Sequence, residues 1–90
     1  MIEVRDRYVG FNPHYDLEDV RKILPHEVVI YAPSGYDREM INETLYAWCK
    51  KNCKHLFTDM YGDAEDGTQA IFCLFADGKE AMHFKLIFGG

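Results

Sequence analysis

TQAIFCLFADGKEAMHFKLIFGG, residues 68–90, is the stretch on which the fold reading turns. Its first half, Ala70-Ile71-Phe72-Cys73-Leu74-Phe75-Ala76, is apolar on both alternating faces. Ala70, Phe72 and Leu74 fall on one side, and Ile71, Cys73 and Phe75 on the other. A short, continuous run of this kind, rich in aromatic and β-branched residues, predicts an interior strand. Asp77-Gly78 breaks it. Asp77 with Glu80 three residues on has capping-box spacing, which satisfies free amides at a helix start. Ala81, Phe84, Lys85 and Phe88 then recur at helical intervals, and Gly89-Gly90 supply a stop. Met82, Phe84, Leu86 and Phe88 also alternate as a strand would, so a strand is the rival reading of residues 79–88. The cap decides for the helix.

Working outward, Gly62 to Gly67 is a polar turn. The looser alternation from His55 to Tyr61 before it predicts the partner strand of a hairpin. Upstream, Ser34 and Asp37 again have cap spacing. From Tyr36 to Asn52, Met40, Ile41, Leu45, Trp48 and Cys49 mark the apolar stripe of a long helix. Asp37, Glu39 and Glu43 lie towards its start, and Lys50, Lys51 and Lys54 at or beyond its end, as a helix dipole favours. Glu27 to Ala32 (EVVIYA) reads as a strand closed by Pro33-Ser34-Gly35. Asp16 opens a short helix with stripe Leu17, Val20, Ile23 and Leu24, ended by Pro25; a loop with one helical turn is the alternative reading. Met1 to Phe11 reads as an edge strand broken by Asn12-Pro13.

Composition bounds the function classes. Ninety residues with 48% hydrophobic and 14% aromatic content suit one folded domain spanning residues 1–90. A net charge of -5 opposes long-range attraction to nucleic acid or an anionic membrane. No run approaches the roughly 18 apolar residues of a membrane span. No basic, apolar leader pattern opens the sequence, and a cytoplasmic location is expected. Three cysteines, at 49, 53 and 73, do not pair into a disulfide framework and are read as reduced thiols.

From residue 28 the order is strand, helix, strand, strand, helix, which is the ferredoxin-like order without its last strand. The expectation is an α+β domain: a ferredoxin-like antiparallel sheet with two helices on one face and an extra N-terminal strand and short helix. Ile2 to Val9 would fill the vacant edge beside the first core strand. If the tail is a strand, an antiparallel sheet crossed by one long helix results instead.

Phe75, Asp77 and Ala81 match the "F-x-D-x-x-x-A" passage from third strand to second helix in RNA-recognition-motif domains, and Gly67 to Gly90 resembles that portion of the family. Ile30-Tyr31-Ala32 resembles its first-strand motif. The resemblance implies that Tyr31 and Phe72 occupy the positions of the family's stacking aromatics. The family's basic-Gly start and first aromatic are here Thr68, Gln69 and Ala70, and the fourth strand has no counterpart. The tail, with Phe84-Lys85-Leu86 before Gly89, is also similar to the ends of small uncharacterised phage-encoded proteins, which implies a phage-type accessory protein.

Candidate chemistry is sparse. Cys49, Cys53 and His55, completed by Cys73 or His83, have ligand types that suit zinc, but C-x3-C-x-H without a second knuckle is a poor zinc spacing. Cys49 lies on a helix stripe and Cys73 in mid-strand, where buried thiols are ordinary core residues. No metal or other cofactor is therefore expected. Asp59, Asp63, Glu65 and Asp66 gather around one turn, yet the EF-hand spacing is absent and a solvated hairpin tip accounts for them. No Walker loop, GxSxG elbow or HExxH motif occurs, and His14, His26, His55 and His83 are scattered.

The function expected is therefore a non-catalytic domain that binds protein, either a second copy (a homodimer) or a host partner. Its contact patch would be the sheet face carrying Tyr31, Phe72 and Leu74. The alternative is a single-stranded nucleic-acid binder that stacks bases on Tyr31 and Phe72, with Arg5, Arg7, Lys79 and Lys85 on the phosphates.

Overall fold

Eight elements follow one another in the computed structural model, which describes residues 2–32, 38–63 and 68–88. They are β1 (Glu3–Arg5), β2 (Tyr8–Gly10), α1 (Pro13–Ile23), β3 (His26–Ala32), α2 (Arg38–Asn52), β4 (Phe57–Asp63), β5 (Gln69–Phe75) and α3 (Gly78–Phe88). The strands form one five-stranded sheet in the order β1-β2-β4-β5-β3. The domain is α+β, as its sequence predicts. The sheet is mixed rather than antiparallel, because β2 pairs with β4 in parallel through Tyr8 and Phe57.

The strand read first from the sequence lies at the centre of its three-stranded half. β5 is antiparallel to both β3 and β4 over its full length. β3 and β4 therefore run parallel on either side of it, and α2 makes the connection between them. Asp77 caps α3 as its spacing predicts: the Glu80 amide donates to Asp77 Oδ2 at 3.2 Å. The tail is a helix, and the architecture of a sheet crossed by a single long helix does not occur. The cap readings at Ser34–Asp37 and Gly89–Gly90, and the hairpin tip at residues 64–67, lie outside the described residues.

The side-chain period of β5 assigns the core. Ile71, Cys73 and Phe75 face α2 and α3, where Val28, Leu45, Cys49, Phe57, Ala81 and Phe84 join them. Aromatic rings lock the layer: Phe84 lies 5.1 Å from Phe75, 5.6 Å from Trp48 and 5.0 Å from Phe88, centroid to centroid. Met40 does not belong to this stripe. It is exposed, and Ile41, Leu45 and Cys49 carry the packed face of α2. On the opposite side of the sheet, α1 and the residue after it place Val20 and Leu24 against Val9 and Leu74.

The N-terminal segment departs from its expected form in three ways. It is a hairpin rather than one strand, since β1 and β2 pair antiparallel around Asp6-Arg7. Both turn residues have left-handed backbones, with φ of 48° and 73°. Such turns match the twist of a hairpin but normally use Asn-Gly, and each L-residue there costs about 1–2 kcal/mol. Compensation comes from the end of α2. The Arg7 guanidinium donates to the Lys50 carbonyl at 3.0 Å and to the Cys53 carbonyl. It thereby satisfies terminal carbonyls and puts positive charge at the negative pole of the helix.

Secondly, Asn12-Pro13 starts α1 instead of merely breaking a strand. Asn12 Oδ1 accepts from the His14 amide at 2.9 Å, and Pro13 takes the first helical turn. Thirdly, the hairpin adds beside β4 and not beside β3. The edge expected to be filled stays without a strand among the described residues.

Candidate functional site

The face of the sheet turned away from α2 and α3 is only partly covered. Register pairing puts Val29 opposite Phe72 and Tyr31 opposite Ala70 on β3 and β5, and Met60 opposite Phe72 on β4. Directly opposed residues share a face, so Val29, Tyr31, Met60 and Phe72 form one patch. Tyr31 is 64% exposed at its margin. Phe72 is half-buried because its ring lies over Gly62. A Cβ on that glycine would come within 2.7 Å of Phe72 Cε2, so glycine is what allows the ring to lie down on the sheet. Leu74, expected in the same patch, is 2% exposed. It shares the face but sits beneath α1 with Val20 and Leu24, which corrects its assignment as a contact residue.

The patch reaches the edge of β3. This seven-residue strand pairs with β5 on one side, and its outer side has no strand partner among the described residues. On the helical side, Gly78 abuts the His26 ring, where a Cβ would lie 3.0 Å from Cε1. Met82 and Leu86 continue the same i, i+4 row of α3, and both are exposed. Among the described residues, an unpaired backbone edge thus has exposed Tyr31 and half-buried Val29 on the face turned away from α2 and α3.

The cysteines and His55 do not converge. Cys49, Cys53 and Cys73 are free thiols buried in the helix-covered core. The thiol contact from Cys53, together with burial, pushes the Cys49 thiol up, and burial does the same for Cys73. The same contact, through the hydrogen bond from Cys49, lowers the Cys53 thiol, so it is Cys49 and Cys73 that are held protonated and are poor nucleophiles. His55 is exposed instead, near Asp77 and Glu80, with Nδ1 3.4 Å from Glu80 Oε1. Among the described residues this trio is the group with cation-ligand spacing. Its carboxylates already serve the backbone: Glu80 accepts from the Lys54 amide at 2.6 Å and the His55 amide at 3.3 Å, while Asp77 caps α3. The positive pole of the helix also opposes a cation there.

Of the acids grouped at residues 59–66, Asp59 is described with its side chain, and it does not belong to a solvated tip. It faces the α2 side in register with Cys73. Burial pushes its carboxyl above the ordinary aspartate range, and Oδ1 accepts the Tyr8 hydroxyl at 2.6 Å. The side chain of Asp63, and residues 65 and 66, lie outside the described residues. Strand period does reveal Asp59, because 57, 59 and 61 share one side, but the run of neighbouring acids suggests a turn.

No family model, curated protein or solved structure matches this chain. No helix among the described residues is long and apolar enough to cross a membrane.

Proposed function

We propose that this is a non-catalytic binding domain that acts by pairing with a second copy of itself along β3. The observation that carries the reading is the edge of β3, which has no strand partner among the described residues and carries exposed Tyr31 on its open face. An edge strand this long normally carries a lysine, a proline or a bulge that prevents pairing. His26–Ala32 (HEVVIYA) has no lysine and no proline, and its register against β5 runs without a bulge.

The strand is also self-complementary. An antiparallel two-fold centred on Val29 sets Glu27 opposite Tyr31, His26 opposite Ala32 and Val28 opposite Ile30. No like charges meet, and every residue keeps its face. Two sheets would merge into one, and Tyr31 of each copy would bring the open patches together. Nucleic-acid stacking on Tyr31 and Phe72 is less well supported. Arg7 is engaged on α2, and Lys79 and Lys85 belong to α3, which covers the other face of the sheet.

Sedimentation equilibrium tests the pairing. The parent chain is expected at twice its monomer mass. Val29→Lys and Val29→Glu, each placing like charges on the two-fold, should be folded monomers. Mixing the two variants should restore the dimer. A parent that stays monomeric at high concentration, or a Val29→Lys variant that still dimerises, overturns the proposal.

A further inference from the structure

Strands β2 and β4 share a single register pair, Tyr8 with Phe57. The Phe57 amide donates to the Arg7 carbonyl at 2.9 Å, which fixes one end of the junction. One residue further on, the Thr58 hydroxyl donates to the Val9 carbonyl. Among the described residues no further register pair joins the two strands, and a cleft of about 420 Å³ is lined by both. Val9, Gly10, Phe11 and Pro13 form one wall, and Thr58 to Tyr61 the other. That volume lies within the range of small-ligand sites, roughly 300–1,000 Å³.

Three features of the lining agree in chemistry. Asp59 brings a carboxyl whose Oδ1 already accepts from Tyr8. Asn42, from α2, brings a side-chain oxygen that is fully buried and has no hydrogen-bond partner. A buried acceptor left unpaired costs about 1–3 kcal/mol, so a donor arriving there would recover that loss. Tyr8, Phe11 and Tyr61 also line the cleft, and aromatic residues are the side chains that attract cations. The site thus combines acceptors with aromatic residues, on a chain of net charge -5.

From this convergence we infer that the β2–β4 cleft binds a guanidinium group, with Asp59 and Asn42 as its acceptors and the aromatic side chains around it. Guanidinium matches the lining because it is planar, carries five N–H donors and no acceptor, and is weakly hydrated. The elevated protonation range of Asp59 supports the assignment. A carboxyl kept in a desolvated position costs stability unless a cation compensates it, and such groups concentrate at binding sites. This site is separate from β3, so either proposal can fail without the other.

Amide-shift NMR titration tests it with two probes, methylguanidinium and N-acetyl-arginine methylamide, and with methylurea as the neutral control. Saturable shifts confined to residues 8–13, 42 and 58–61 are expected with methylguanidinium and not with methylurea. If the arginine derivative binds as well, the source is an arginine side chain; if it does not, the source is a free small guanidine. Asp59→Asn should weaken binding about tenfold or more, equivalent to roughly 1.4 kcal/mol. Asn42→Leu, checked for native amide dispersion, should weaken it as well. Absent shifts, equal response to methylurea, or undiminished binding in folded Asp59→Asn overturns the inference.

Discussion

Beneath α2 and α3 the sheet buries Val28, Phe57, Ile71, Cys73 and Phe75, none more than 7% exposed. On its other face α1 covers Val9 and Leu74 and leaves Val29, Tyr31, Met60 and Phe72 partly or largely open. The helix-side layer is closed by four aromatic rings from three elements: Trp48, Phe75, Phe84 and Phe88. The α1-side layer has one short helix, whose buried contributions are Val20 and, just after it, Leu24. The difference teaches a division of labour. One face supplies most of the hydrophobic stabilisation, and the other has apolar area to spare for a partner.

Large truncations probe that division first. Phe84→Ala removes a ring with no solvent exposure from the centre of the aromatic layer. It should cost about 3–5 kcal/mol in urea unfolding, a large share of the roughly 5–15 kcal/mol typical of a domain. Leu74→Ala, under α1, should cost about 2–5 kcal/mol and fall below Phe84→Ala. The reverse order would mean that the α1 side is the main core.

A smaller, pH-dependent effect should come from Asp59, on the α2 side of β4. Its folded carboxyl binds its proton more tightly than an unfolded aspartate, because burial disfavours the charge. As pH rises through the carboxylate range, the unfolded chain releases that proton first, and the folded state loses stability. Below the ordinary aspartate range both states are protonated and the contribution vanishes. Asp59→Asn should therefore melt higher than the parent at pH 7, with the gap closing on acidification. A gap that widens in acid would contradict the burial argument. The smallest change in stability belongs to Tyr31→Ser, within about 0.5 kcal/mol by thermal melting as for other surface sites. A larger loss in the monomer would show that Tyr31 is packed rather than offered to a partner.

Much of this was legible in the chain. Alternation in Ala70–Phe75 separates the two faces correctly, and Asp77 with Glu80 marks the start of α3, because those signals are local. The hairpin at Asp6-Arg7 was not legible. Asp6 tolerates a left-handed backbone but lacks the glycine that would follow it, and Arg7 is held by the end of α2, more than 40 residues away in sequence. The site was half legible. Period 2 puts Phe72 and Leu74 on one face and the resemblance to the first- and third-strand motifs adds Tyr31, but nothing in the sequence tells which part of that face α1 covers, and there Leu74 lies buried. Asp59 was concealed by its acidic neighbours, since composition suggests solvent where strand period points inward.

The parallel junction of Tyr8 with Phe57 has a kinetic consequence. The β1–β2 hairpin can close locally, yet an isolated two-stranded hairpin is marginal in water. The carbonyls that receive Arg7 come only at the end of α2, and its partner strand follows that helix in chain order. On a ribosome the hairpin would wait, unanchored, until β4 has emerged, and docking would then be a late, long-range step. Mutations in the hairpin should accordingly speed unfolding more than they slow folding.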